Sequence, residues 1–202
     1  ALQQRSALGF CFKMASNPLF RVMKGFLAML FALALAITGN AIPVHAEVIS
    51  LHSISPEGVG QSIGTVTALD SDDGLVIEAN LTGLKPGEYG FHLHENGSCQ
   101  PGLQQGVSVA GLGAGGHWDP DNTGRHLGPF GDGHRGDLSR LIVSPDGRTT
   151  EPVVAPRLNL SDLQGHALIL HSGGDTYSDE PPLGGGGARM ACGLPEALIQ
   201  SA

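Results

Sequence analysis

Six of the histidines and one of the aspartates between Gly90 and His171 stand at spacings that restrict the fold more than any other feature. They stand in Gly90-Phe91-His92-Leu93-His94-Glu95, Gly116-His117-Trp118-Asp119-Pro120, Gly124-Arg125-His126-Leu127-Gly128-Pro129, Gly133-His134-Arg135-Gly136-Asp137-Leu138 and Leu168-Ile169-Leu170-His171. Residues two apart on a strand face the same side, so His92 and His94 point together while Leu93 points into a core. Imidazole is the commonest transition-metal ligand. The chain has nine histidines. His45 falls in a leader-like segment, and His52 and His166 are read as surface or packing residues.

The rest of the chain after Glu47 reads as short strands and turns. Segments 47–52, 61–69, 74–81, 88–94, 138–144, 149–154, 163–171 and 188–192 carry alternating or apolar patterns. Turns follow at Ser71-Asp72-Asp73-Gly74, Lys85-Pro86-Gly87 and Pro145-Asp146-Gly147. These turns predict hairpins around residues 70–74 and between 138–144 and 149–154. No convincing amphipathic helix follows the leader. The pattern predicts an all-β sandwich or barrel. Two stretches do not read as strand, residues 96–136 and 173–187. Both are rich in Gly, Asp and Pro, and loops of that length in a compact domain are usually functional.

The histidines divide by chemistry. His92, His94 and His171 offer nitrogen donors from strands, a set that suits copper(II). His126, His134 and Asp137 share a loop with His117, and three imidazoles with one carboxylate suit zinc. His117 lies between the groups in sequence and has two ring nitrogens, which makes it the candidate for a shared ligand.

Residues 1–46 hold four basic and no acidic side chains, and an apolar run follows Met23-Lys24. The small residues of Val44-His45-Ala46 then complete the outline of a secretory signal peptide. The reading is a leader over 1–46, starting at Met23 and cleaved after Ala46. An uncleaved anchor is the alternative, but the apolar run is short for a membrane span. Residues 47–202 would keep seven basic and 19 acidic side chains, a formal charge of −12. That charge argues against nucleic acid or an anionic membrane as partner. Cys99 and Cys192 remain in this portion and are most simply one disulfide in an exported chain.

These motifs, with Ala114-Gly115-Gly116-His117 and Gly184-Gly185-Gly186-Gly187-Ala188-Arg189-Met190-Ala191-Cys192-Gly193, closely resemble the bacterial periplasmic copper/zinc superoxide dismutases. The resemblance runs from about Glu47 to Gly193, so 47–202 is taken as the dismutase domain. It implies a Greek-key β-sandwich, a flattened eight-stranded barrel with two long functional loops. It implies one copper ion at His92, His94, His117 and His171, and one zinc ion at His117, His126, His134 and Asp137. It implies the Cys99–Cys192 disulfide, an anion-guiding role for Arg189, and Asp175 as the carboxylate holding one imidazole of each set, with Asp179 as runner-up. The expected function is periplasmic antioxidant defence, the disproportionation of superoxide to oxygen and hydrogen peroxide. His117 and Arg189 would be the catalytic residues, copper would cycle between redox states, and zinc would fix the bridging histidine. Some relatives carry a steering lysine after the first cysteine. Gln100–Gly106 has none, and the tail Leu194–Ala202 carries no readable motif. A homodimer stays open. The rivals are a copper-delivery module without turnover and a purely structural sandwich, disfavoured because Arg189 and every candidate ligand are present.

Overall fold

The computed structural model describes residues 45–196. The signal-peptide reading and the end of the tail therefore lie outside the described residues, apart from His45, Ala46 and Leu194–Glu196. Eleven strands and three short 3-10 turns make up the described part, with no α-helix among them. None of its helical turns is long and apolar enough to cross a membrane.

Seven strands form one curled antiparallel sheet. They are β1 (Ala46–Ser55), β2 (Gly58–Ser71), β3 (Gly74–Leu81), β5 (Phe91–His94), β9 (Val153–Ala155), β10 (Ala167–His171) and β11 (Arg189–Gly193), in the order β5-β10-β11-β1-β2-β3-β9. A second pair, β4 (Gly87–Tyr89) and β8 (Leu141–Val143), and a small hairpin, β6 (Gly102–Gln104) and β7 (Val107–Val109), complete the set. The hairpin predicted around 70–74 is present, with Ser71 opposite Gly74.

Alternation places the core. Ile49 and Leu51 on β1, Val66 and Ala68 on β2, Leu75 and Ile77 on β3, and Leu168 and Leu170 on β10 face one buried cluster. Phe91 and Leu93 of β5 join it with no exposed surface. The intervening residues of β5 and β10 face the other way. Ile169 and Ala167, with Cys99, Cys192, Ala114 and Ile54, form a smaller second cluster there. His92 stands opposite Ile169 and His94 opposite Ala167, so both rings project from the sheet face away from the main core. The segment between β7 and β8 covers that face, which is why every residue of β5 and β10 is buried.

Three strand expectations change. The predicted strand 88–94 is two strands in different sheets, because Gly90 breaks the run. Its N–H donates to the Gly173 carbonyl, and its carbonyl accepts from His171. The predicted hairpin between 138–144 and 149–154 is present as a turn with backbone bonds from Ser144 to Arg148, Thr150 to Ile142 and Ser139 to Val154, but its arms form no continuous ladder with each other, since β8 pairs with β4 and β9 with β3. Residues 96–136 are not wholly irregular, because Gln105 (φ 53°) and Gly106 (φ 82°) turn β6 into β7. Two positive-φ residues suit a tight hairpin.

Cys99 and Cys192 form a disulfide with Cα atoms 5.7 Å apart across 93 residues. Closing a loop of that length contributes roughly 4–5 kcal/mol in the chain-entropy account. The bond ties the segment between β5 and β6 to β11.

Candidate metal centre

Strand geometry brings the first cluster together. His92 and His94 come from β5, and His171 ends β10, where its N–H donates to the Gly90 carbonyl at 2.8 Å. The Nε2 atoms of His94 and His171 are 3.3 Å apart. Isolated bridges place His94 opposite His117 and His92 opposite Asp137. Backbone bonds from Leu93 to Gly136, Trp118 to Leu93 and Gly136 to Trp118 bind the covering segment to β5 as an added strand would. His92, His94, His117 and His171 therefore present nitrogens within 4.8 Å of one another, all buried.

The second cluster surrounds one carboxylate oxygen. Asp137 Oδ1 lies 2.9 Å from His117 Nδ1, 2.9 Å from His126 Nδ1 and 3.2 Å from His134 Nδ1. A tetrahedron with zinc-like bonds of about 2.0–2.1 Å has edges of about 3.3 Å, close to these separations. His126 Nδ1 has no hydrogen-bond geometry despite its distance to Asp137, and His92 Nδ1 is buried without a partner. Buried polar atoms are nearly always satisfied. Two such nitrogens, each pointing into a ligand cluster, fit an ion in each position.

Asp175 links the clusters from behind. Its Oδ2 lies 2.8 Å from His92 Nε2 and its Oδ1 lies 2.8 Å from His126 Nε2. Each ring donates outward to the carboxylate, which leaves its Nδ1 facing inward, the arrangement that fixes tautomer and orientation in metal sites. Asp179 does something different, accepting from the His126 backbone N–H at 3.1 and 3.2 Å.

The two clusters differ in protonation. Burial pushes His92, His94 and His117 well below or below the ordinary imidazole value and His171 down to about 4, with the charge of His117 adding to the effect on the other three. Burial also opposes a charge on His126, but the negative carboxylates of Asp137, 2.9 Å from its Nδ1, and Asp175, 2.8 Å from its Nε2, outweigh it and raise the ring to about 9. Desolvation likewise opposes ionisation of Asp137 and Asp175. The imidazoles around them overcome it and hold both far below the usual carboxylate range.

Residues 62–194 match the family profile for copper/zinc superoxide dismutase (SODC). The chain belongs to the copper/zinc superoxide dismutase family. A superoxide dismutase [Cu-Zn] of Escherichia coli K12 is 48% identical over 174 residues, covering 85% of this chain and 99% of that one. A solved Cu/Zn superoxide dismutase from Brucella abortus is 49% identical with a TM-score of 0.73, covering 75% of this chain and all of that one. A monomeric copper, zinc superoxide dismutase from Salmonella enterica is 52% identical with a TM-score of 0.68, over 75% of this chain and all of that one. The protein is thus an oxidoreductase acting on superoxide, of a family that uses one copper and one zinc.

In this superoxide dismutase Arg189 begins β11, opposite His171 and next to an irregularity in the β10–β11 register. Its two terminal nitrogens donate to the carbonyls of Gly111 and Gly115. The Gly115 carbonyl also accepts from His94 Nδ1 at 3.1 Å. Arg189 therefore shares an acceptor with a ring of the first cluster, and its charge lowers the basicity of His94 and His171. His166 stands apart, its Nδ1–H donating to Glu95 O at 2.7 Å and its ring against Trp118. His52, read as a surface or packing residue, reaches the Gly60 carbonyl at 3.2 Å and joins neither cluster.

Sequence reasoning did not single out Arg157, which follows β9 and donates to the carbonyls of Gly133 and His134. It holds the backbone of the most exposed ring in the second cluster. Nor did it single out Gly184, where a Cβ would lie 2.3 Å from Asp175 Oδ1 and 2.7 Å from His126 Nε2. The run Gly184–Gly187 carried the family resemblance, but only the folded chain shows what Gly184 makes room for.

Proposed function

We propose that His92, His94, His117 and His171 hold the copper ion, that His117, His126, His134 and Asp137 hold the zinc ion, and that His117 and Arg189 carry catalysis. The observation that supports this best is the membership of His117 in both clusters, with its Nδ1 on Asp137 and its second nitrogen left for the first set. Bound copper supplies one-electron redox chemistry for dismutation, and bound zinc supplies Lewis acidity at the far nitrogen of His117. The residues supply the rest. Arg189 draws in superoxide, a small anion, against an otherwise acidic chain of formal charge −8. Its neighbours Gly111 and Gly115 fix the guanidinium so that the charge stays beside His94 and His171. His117 Nε2 takes up a proton and passes it to the oxygen species being reduced, while Asp137, His126 and His134 keep the ring from swinging away. Asp175 orients His92 and His126. With no lysine in Gln100–Gly106, anion attraction rests mainly on Arg189.

The setting is extracytoplasmic, in the bacterial periplasm. The basic, apolar leader and the disulfide both support export. A copper-delivery role on the same fold remains the second reading, and Arg189 argues against it, since a carrier needs no anion guide.

The test compares the protein with His117→Ala and Arg189→Ala, measuring dismutation together with copper and zinc content. Activity should track copper content. Arg189→Ala should lower it about tenfold or more and flatten its salt dependence. His117→Ala should abolish most of it. Full copper and zinc loading without turnover would support the carrier reading, and full activity in His117→Ala would remove its proton role.

A further inference from the structure

Asp175 sits in a loop, yet it must hold its two carboxylate oxygens on rings from different elements. Two contacts from outside both clusters reach it, and three more hold the residues that make them. The Tyr177 N–H donates to Asp175 Oδ1 at 2.7 Å. The Arg140 guanidinium donates to the Asp175 carbonyl at 3.0 Å. The Tyr177 hydroxyl accepts from the Arg140 backbone N–H at 2.9 Å, and the Arg140 guanidinium lies over the Tyr177 ring, 5.3 Å from its centre. Glu88, at 3.4 Å from Arg140, faces the guanidinium from β4.

The tyrosine also touches the zinc-type loop. A Cβ placed on Gly128, two residues after His126, would lie 2.7 Å from the Tyr177 Cβ and Cγ. The ring therefore rests on the segment that carries His126. Tyr177 adopts φ 56°, the left-handed region that favours glycine. Non-glycine residues persist there when their surroundings over-determine them, often at functional sites. Here the surroundings are the hydroxyl bond to Arg140, the ring contacts and the N–H bond to Asp175.

We propose that Arg140 and Tyr177 are positioning residues, a clamp that sets the Asp175 carboxylate between His92 and His126 and so retains zinc in the second cluster. The proposal rests on the reading of Asp175 as the bridge between the two sets. It gives Arg140, the residue just before β8, and a loop residue a joint task that neither ring nor charge alone would reveal. Arg140 suits it because a planar fork can grip a carbonyl and cover a ring at once.

The test uses the copper- and zinc-loaded enzyme and four variants: Tyr177→Phe, which removes only the hydroxyl, Arg140→Lys, Asp175→Asn, and Tyr177→Phe with Asp175→Asn. The readouts are the rate of zinc transfer to a chelator, the visible spectrum of cobalt(II) in the zinc position, and the thermal stability of the metal-free protein. Tyr177→Phe and Arg140→Lys should each speed zinc loss about three- to tenfold and shift the cobalt bands, with metal-free stability unchanged. Asp175→Asn should speed it about 10- to 100-fold. Tyr177→Phe should add nothing in the Asp175→Asn background, because residues acting through one partner are not additive. Normal zinc retention in both clamp variants, with fast loss in Asp175→Asn, would overturn the clamp while the bridging role stands. Normal retention in Asp175→Asn would overturn the bridging role and the clamp with it. An additive double variant would assign Tyr177 to packing and overturn the clamp.

Discussion

Three rings of the first cluster come from β5 and β10, strands whose alternate residues are anchored in the main core. All four members of the second come from the segment between β7 and β8 and gather on one carboxylate oxygen. The first is a set of neutral imidazoles held by sheet pairing. The second is a charged arrangement whose geometry depends on Asp137, on Asp175 behind it and on contacts such as Arg157 outside it. Each cluster is therefore vulnerable at a different point. Packing changes in the sheet should disturb the first, and loss of a single carboxylate should undo the second. Only His117 belongs to both, so each cluster also senses the other through one ring.

The largest separation between them should come from Asp137→Asn. It leaves His117, His126 and His134 without the charge around which they assemble. Breaking a buried charged contact costs about 3–5 kcal/mol, which corresponds to roughly a 10²- to 10⁴-fold loss of zinc affinity. Copper binding at the strand cluster should change far less. Chelator competition for each metal in the same variant checks this, and an equal loss of both would dissolve the distinction.

Leu93→Ala attacks the other side. Leu93 has no exposed surface and sits between His92 and His94, so it anchors both rings to the core. Truncating a buried leucine costs about 2–5 kcal/mol, visible as a lower unfolding midpoint in denaturant. Copper retention should fall with it more than zinc retention does. A fall confined to zinc would reverse the assignment of which cluster leans on the sheet.

A smaller effect should appear in the pH dependence of the metal-free protein. His171, at about 4, is held below its unfolded value, as are His92, His94 and His117. Between pH 6.5 and about 4 the unfolded chain binds these protons and the folded chain does not, so stability should fall as the pH drops through that window. His126 has the opposite sign. Its raised value of about 9 adds stability that is fully present below pH 6.5 and lost as the pH rises through 9. Denaturant melts across pH 4–10 should show decline on both sides, and His126→Gln should remove the alkaline decline alone.

Much of this was legible in the chain. The His92-Leu93-His94 alternation predicts one face for two rings, and the seven candidate ligands do gather into two clusters. Local patterns failed where pairing is decided at long range. Residues 88–94 read as one strand because the run is continuous, and only the bonds from Gly90 to Gly173 and His171 show that it must split. The hairpin predicted across Pro145-Asp146-Gly147 keeps its turn and several backbone bonds between its arms, but the strand ladders of those arms run to β4 and β3, which the local pattern does not record. The β6–β7 turn was hidden because glutamine at position 105 is an unusual occupant of positive φ. Arg140, Tyr177 and Arg157 were invisible for a related reason. Their importance lies in which backbone groups they reach across 23–37 residues of chain, and no periodicity records that.

The most direct test of two unlike clusters joined by one histidine is a crystal structure of the loaded enzyme with anomalous diffraction measured on both sides of the copper and zinc absorption edges. A copper peak is expected among His92, His94, His117 and His171, and a separate zinc peak among His117, His126, His134 and Asp137. Both metals mixed equally in both positions, or a metal peak remote from His117, would contradict it.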